Sequence, residues 1–539
     1  MNKLFAYVNI RTVLMLLFLI GAYIASYTFL FDAKLDLNGD NATYISLARN
    51  LTAGHGYSDI SPDGYHPVNH FPPAYSVFLA LLMKLGISSL VGFKIANGVL
   101  LCVSLILLFL VSAKLTGKSR MTLCALILSL SCFDMVRFAQ IAMSEMLYMF
   151  FIMLTFVFVY KYTQEKKKLS FWKLWSFYAI CICCSLAIYT RTIGLSLLLG
   201  ILVLFACRKE WFAMVSSAAL VFLTQLPWTI RNKSLGLNSR YMDTLLISNP
   251  WRPDSNQVDS VGDFFSKIFS NVQETVIVGF RSLLFPSTSY FFRNISKQWF
   301  ETNFMTIILG ILILAVVVYG LFQFKQLKWF LLAFLVGNIG LFALWHGGND
   351  IRYVIPITPF IYLFFFIGLG SLMVLLWKKI TKKTLSNNVV SYAILLLIIW
   401  RVPSINDADR AYKAPYHVNQ QSYIDAAVLL NERMPQGIVV ACRKPEIFTY
   451  FAPNLVAVRY PFTTDTKEFL RSLIENNVLI IVLDSLEYSS SPLYLFPFIQ
   501  ETIGTLTFPV YEDGSNGTTS LLYYGRDIGL SLRIKKALE

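Results

Sequence analysis

Charge is scarce in this chain of 539 residues. Asp, Glu, Lys and Arg make up 14% of it and hydrophobic residues 56%, where soluble domains carry about 25% charged residues. An ordinary soluble enzyme is excluded, and a membrane protein is implied. No Gly-rich phosphate loop follows any strand-like segment, which excludes a nucleotide domain of that kind. Seven of the eight cysteines (Cys102, Cys124, Cys132, Cys181, Cys183, Cys184 and Cys207) fall in apolar runs, where the thiol acts as a small hydrophobe. Cys442 stands alone near the C-terminus, so no disulfide framework is implied. Cys181-Ile-Cys-Cys184 has no His or acid beside it and reads as helix packing. His66 and His70 are four apart, but Pro67 disfavours a helix there and no carboxylate completes a metal set. Internal repeats and low-complexity segments are absent.

The net charge of +15 does not point to nucleic acid. Residues 401–539 are slightly acidic, so the excess lies in the apolar portion. There it collects in short loops: Lys114 to Arg120, Lys161 to Lys168, Arg208-Lys209, Lys325 to Lys328, and Lys378 to Lys383. That is the positive-inside signal of cytoplasmic loops. Apolar runs near 12–31, 88–113, 121–137, 142–161, 172–190, 192–207, 211–229, 304–324, 329–345, 354–377 and 388–402 predict about 11 transmembrane helices. The first reads as an uncleaved span, because no small-residue cleavage site follows it. With the N-terminus in the cytoplasm, every Lys/Arg-rich loop falls inside. Loops 32–87 and 230–303, the turn His346–Tyr353 and everything after Arg401 then fall outside. The fold class is an α-helical polytopic membrane protein with a small α/β C-terminal extracytoplasmic domain: residues 1–403 form the membrane part and 404–539 the soluble part.

In the first outer loop, Tyr44, Leu47, Ala48 and Leu51 lie at helical spacing with Asp40 ahead of them, so the positive end of a helix faces that carboxylate. Pro72–Leu85 reads as an interfacial amphipathic helix with proline in its first turn. In the soluble part, Tyr423–Arg433 and Lys467–Glu475 read as helices. Gly437–Ala441, Val478–Leu483, Thr505–Tyr511 and Ser520–Tyr524 read as strands.

Four motifs stand at the outer boundary of the spans. The first is Leu37-Asn-Gly-Asp40-Asn-Ala-Thr-Tyr44 with Ala48, followed by His70-Phe-Pro-Pro73. The second is Ala142-Met-Ser144-Glu145-Met-Leu-Tyr148. The third pairs Tyr189-Thr-Arg191-Thr-Ile-Gly194 with Pro227-Trp228-Thr-Ile-Arg231-Asn232. The fourth is Asp350-Ile-Arg352-Tyr353-Val-Ile-Pro356-Ile-Thr-Pro359. A carboxylate at the membrane boundary is costly and marks a functional site by default. Outward arginines break the positive-inside trend, and their planar forks suit phosphate. Taken alone, these residues also fit capping acids and snorkelling anchors, and spacing does not rank Asp40 over Asp36.

In motif order over residues 10–370 the chain resembles the GT-C superfamily of membrane glycosyltransferases. The likeness is to the bacterial branch that includes protein O-mannosyltransferases and the lipid A aminoarabinose transferase. The resemblance implies Asp40 as catalytic carboxylate and Glu145 as a second acid orienting the acceptor or a metal. It also implies Arg191, Arg231, Arg352, Tyr353 and His70 as donor-phosphate ligands, His70 standing beside Phe71 where relatives often have Lys. Metal dependence is left open, a divalent metal being the one cofactor considered.

The expected function is an inverting transfer of a sugar from a polyprenyl-phosphate donor to an acceptor hydroxyl. One carboxylate acts as base and cations hold the leaving phosphate. The place is the outer face of a bacterial cytoplasmic (inner) membrane, the partners are the lipid-linked sugar, the bilayer and an unidentified glycan, lipid or protein acceptor, and nucleic acid is not among them. Two rivals are a transporter or flippase of a lipid-linked sugar, and a catalytically silent GT-C scaffold. Transporters place ionisable groups near the midplane on broken helices, whereas here the polar features gather on one face.

Overall fold

The structure is a computed structural model that describes residues 9–37, 39–165, 170–237, 260–285, 304–344, 351–397, 410, 413–486, 490–512 and 519–538. Helix α1 (Ile10–Phe29) leads into a first loop that folds as α2 (Asp40–Ala53), a hairpin of β1 (Ser58–Ser61) and β2 (Gly64–Pro67), and α3 (Ala74–Lys84). Seven helices follow: α4 (Leu90–Thr116), α5 (Ser119–Ser129), the short α6 (Phe133–Phe138), α7 (Glu145–Glu165), α8 (Trp175–Thr190), α9 (Leu195–Cys207) and α10 (Trp211–Ser234). Amphipathic α11 (Val261–Gln273) runs through a π-helical turn into α12 (Phe280–Leu284). Apolar α13 (Phe304–Phe322), α14 (Lys328–Leu344), α15 (Thr358–Thr381) and α16 (Asn387–Leu396) close the helical part.

Among the described residues, five helices are long and apolar enough to cross a membrane: α1, α4, α7, α10, and α15 with the turn before it from Ile355. Shorter apolar helices lie between them. Leu17 and Phe18 of α1 and Phe222 and Leu223 of α10 are exposed, as lipid-facing side chains are. Inside, α9 packs on α14, α7 on α8 and α4, and α13 on α15. The last pair crosses backbone to backbone, since a Cβ on Gly320 would lie 1.7 Å from the Phe364 carbonyl oxygen.

Several boundaries differ from the sequence expectation. The expected span 121–137 is two helices, α5 ending at Ser129 and α6 starting at Phe133, with the Ser129 and Ser131 hydroxyls donating to the Leu126 and Leu128 carbonyls at the break. The expected span 142–161 begins only at Glu145. The helix expected after Asp40 includes Asp40 as its first residue. His66 lies on β2, its Nε2 2.7 Å from Asp63. The segment 398–402, the junction at 403–404, most of loop 230–303, and His346 lie outside the described residues.

The C-terminal part is a five-stranded sheet in the order β4 (Val456–Arg459), β3 (Val439–Cys442), β5 (Val478–Asp484), β7 (Thr519–Tyr524), β6 (Thr507–Glu512). Strands β4, β3 and β5 are parallel, while β7 and β6 pair antiparallel. Alternation along β3 and β5 sends Val440 and Ile480 to one apolar face and Ala441 and Ile481 to the other. The first face packs on α17 (Val418–Arg433), α18 (Pro445–Phe451) and α21 (Ile528–Leu538). The second packs on α19 (Thr466–Glu475) and α20 (Phe496–Thr502). The sheet rests on the first loop: α18 packs against α2, and β4 lies beside β1. Tyr450 and Phe451 of α18 join the apolar core of the helical part.

Candidate active site

Gly39 caps α2 at φ +104°, a left-handed value that glycine tolerates without strain, and sets Asp40 in the first turn. Tyr44, one turn on, is buried: its ring stacks on Phe71 at 4.5 Å and meets Tyr75 edge-on at 5.0 Å. The Tyr75 hydroxyl accepts from the Asn97 amide at 2.9 Å, tying the first loop to α4. The Tyr44 hydroxyl donates to Ser144 Oγ at 3.2 Å, which brings α2 to the start of α7. Two sequence-distant arginines arrive at the same point. Arg191 follows α8 in extended conformation. Gly194 permits the tight turn after it, since a Cβ there would lie 2.7 Å from the Ile188 nitrogen. Arg352 sits in the 3-10 turn Ile351–Tyr353 before α15.

The four charges form one connected cluster. Arg352 Nε lies 2.6 Å from Glu145 Oε1, and Arg352 NH1 lies 2.6 Å from Asp40 Oδ2. Arg191 NH1 lies 2.5 Å from the same Glu145 Oε1 and 3.1 Å from Ser144 Oγ. Burial differs sharply between the carboxylates: the Glu145 side chain is 0% exposed and that of Asp40 35%. Burial opposes the charge on Arg352, but Glu145 and then Asp40 more than restore it, so the guanidinium is held firmly cationic. Asp36, the local competitor, pairs with Arg137 at 2.9 Å.

The remaining expected ligands are placed unevenly. Tyr353 lies in the cluster, its ring 5.9 Å from the Arg191 guanidinium carbon and packed near Phe342. Arg231 is turned to the first loop, donating to the Tyr57 carbonyl at 2.8 Å and the Val68 carbonyl at 3.0 Å, with its guanidinium over Trp228. His70 is exposed and stands edge-on to Phe71 at 4.4 Å. Among the described residues, no group of three or more His, Cys, Asp or Glu could hold a metal ion.

Sequence reasoning missed Ser144 as the joint between Tyr44 and Arg191, although it stood inside the motif with Glu145.

Comparison with known proteins gives this geometry its context. Residues 78–234 match the family model described as dolichyl-phosphate-mannose-protein mannosyltransferase. The crystal structure of ArnT from Cupriavidus metallidurans in the apo state superposes with TM-score 0.56 at 11% identity, covering 95% of this chain and 98% of that one. The same enzyme bound to undecaprenyl phosphate gives 0.54 at 11% identity, over 94% and 97%. The archaeal oligosaccharyltransferase AglB from Archaeoglobus fulgidus, in complex with an inhibitory peptide and a dolichol-phosphate, gives 0.55 at 12% identity, over 96% and 75%. This chain has the GT-C fold. No curated relative matches it in sequence. The apolar helices and this fold are those of a multi-pass membrane protein.

Proposed function

We propose that the protein is an inverting glycosyltransferase that moves a sugar from a polyprenyl-phosphate donor to an acceptor hydroxyl at the outer face of a bacterial cytoplasmic membrane. The observation that carries this reading is the pair Asp40–Arg352: a partly exposed carboxylate joined to a buried guanidinium at a boundary of the spans. The fold supports it, since structures of this type include one holding undecaprenyl phosphate and one holding dolichol phosphate.

In the proposed reaction Asp40 takes the proton of the acceptor hydroxyl, whose oxygen attacks the anomeric carbon of the donor. The bond from that carbon to the phosphate oxygen breaks, and the polyprenyl phosphate leaves with the electron pair and one added negative charge. Arg352 and Arg191 are the cations placed to receive that charge. The resting contact between Arg352 and Asp40 has a consequence: a donor phosphate competing for the guanidinium releases the base, so base and donor are coupled. Glu145, sealed from solvent, holds both arginines rather than touching the acceptor. A divalent metal placed between the two carboxylates would first have to displace Arg352.

The experiment is a panel of undecaprenyl-phosphate-linked sugars presented to the purified protein in nanodiscs with envelope extracts as acceptor. Release of undecaprenyl phosphate together with an inverted glycosidic product supports the reading. Movement of the intact lipid-linked sugar across liposomes without cleavage would instead make the protein a flippase. Binding without either event would make it a silent scaffold.

A further inference from the structure

Helix α21 has one packed side and one open side. Ser531, Ile534 and Leu538 are buried where it meets β6 and α17. On the opposite side Ile528 and Leu532, one turn apart, are 59% and 63% exposed. At 100° per residue, Lys535 and Lys536 flank that apolar line and Arg533 lies beyond Lys536. All three cations are exposed, and residues 528–538 include no acid.

The surrounding charges do not cancel this face. Arg526 and Asp527 precede the helix, and the Asp527 carboxylate accepts from the Leu530 N–H at 3.0 Å. Glu539 follows, outside the described residues. The charged side chains of α17 and β6 are Asp425, Glu432, Arg433 and Glu512, all exposed. The C-terminal part is slightly acidic as a whole, so a cationic stripe around two aliphatic side chains stands out from it.

The fold turns this side toward the membrane. Helices α17, α18 and α21 cover one face of the sheet. In that layer α18 rests on α2, and Tyr450 and Phe451 join the core of the helical part. The side of the layer away from the sheet is therefore the side that meets the helical part. The start of α17 is tied to the end of α1, a helix long enough to span. Lys413 Nζ stands 5.0 Å over the Phe29 ring, and the Tyr416 hydroxyl donates to the Leu35 carbonyl at 2.8 Å. At the end of α17, Arg433 donates to the Ala537 carbonyl of α21 at 3.4 Å. Most of α1 is open to lipid, with Leu14, Leu17 and Phe18 exposed.

We propose that the open side of α21 is a docking surface for anionic phospholipid in the leaflet beside the end of α1. Ile528 and Leu532 enter the headgroup region, and Arg533, Lys535 and Lys536 pair with lipid phosphates. Each chemistry needs the other. Two aliphatic side chains bury too little area to hold a helix on a neutral bilayer, and cations alone stay in water.

The test is hydrogen exchange of the full-length protein in nanodiscs of phosphatidylcholine, with and without phosphatidylglycerol. Helix α19, on the opposite face of the sheet, is the internal control. Exchange across 528–538 should slow about tenfold when phosphatidylglycerol is present, with α19 unchanged, and the difference should shrink as salt rises. An Arg533→Gln, Lys535→Gln, Lys536→Gln triple variant should lose the lipid dependence, and Ile528→Ser with Leu532→Ser should weaken it. All five positions are exposed, so the variants keep the packed side of the helix. Equal exchange in the two bilayers, or lipid-dependent protection retained by the triple variant, would overturn the proposal. The same slowing in α19 would make the effect global and overturn it as well.

Discussion

Arg352 and Asp40 are 312 residues apart in the chain and meet at 2.6 Å. Asp36, only four residues before Asp40, is held instead by Arg137. Two acids that spacing could not separate thus pair with different arginines. Asp40→Asn should abolish transfer while leaving insertion intact, because an amide cannot take the acceptor's proton, and it should tighten undecaprenyl-phosphate binding, because the carboxylate no longer competes for Arg352. Asp36→Asn should retain most activity. Turnover by Asp40→Asn at the wild-type rate would remove the base assignment, and loss confined to Asp36→Asn would transfer it.

The arginines should separate in the same way. Arg352→Ala should weaken undecaprenyl-phosphate binding roughly tenfold to hundredfold, as loss of a charged hydrogen bond to an anion does. Lys should rescue only in part, keeping the charge but losing the fork. Arg231 binds the backbone of the first loop through Tyr57 and Val68, so Arg231→Ala should chiefly increase proteolysis or hydrogen exchange in β1 and β2. Equal losses of phosphate affinity in both variants would return Arg231 to the donor site, as the sequence pattern had suggested.

Much of this architecture is legible in the sequence because membrane burial leaves long apolar runs. The soluble strands were visible for a related reason: Val478 to Leu483 is an uninterrupted apolar stretch, as a strand covered on both faces requires. Asp40, Glu145, Arg191 and Arg352 were candidates through the resemblance of their motifs, and the structure brings the four side chains together. What spacing cannot carry is partnership. Nothing in Pro227-Trp228-Thr-Ile-Arg231 says that its arginine turns to Tyr57 rather than to Glu145. The break after Ser129 was hidden because the apolar run continues across it from Leu130 to Val136.

Glu145 offers a test of what the cluster costs to build. It is fully buried and shared by two guanidinium groups. Glu145→Ala should remove the carboxylate that both arginines share, leaving Asp40 as the carboxylate on Arg352, and destabilise the fold by about 3–5 kcal/mol, the usual consequence of breaking a buried pair. Glu145→Gln keeps the shape but not the charge, and it should lose phosphate selectivity before it loses the fold. A thermal melt in detergent with a parallel binding curve distinguishes these. An unchanged melting point for Glu145→Ala would mean the cluster is not structural.

The C-terminal sheet carries its own titration. Asp484 ends β5 almost completely buried, and burial pushes its carboxyl up to about 6 although the Leu486 N–H and Arg443 both favour the charge. The unfolded chain titrates near 3.8, so between the two values the folded state binds the proton and the unfolded state does not. Stability from this group is therefore greatest below about pH 4 and is lost as pH rises through about 6, by at most roughly 3 kcal/mol. Asp484→Asn keeps an acceptor for the Leu486 N–H and removes the ionisation. Hydrogen exchange in β3 and β5 should show the variant gaining protection over wild type as pH rises from about 4 to about 7, the comparison at each pH cancelling intrinsic exchange. A protection difference that stays constant across that range would mean Asp484 is ionised in the folded sheet throughout, with Arg443 as an effective counter-ion despite the burial.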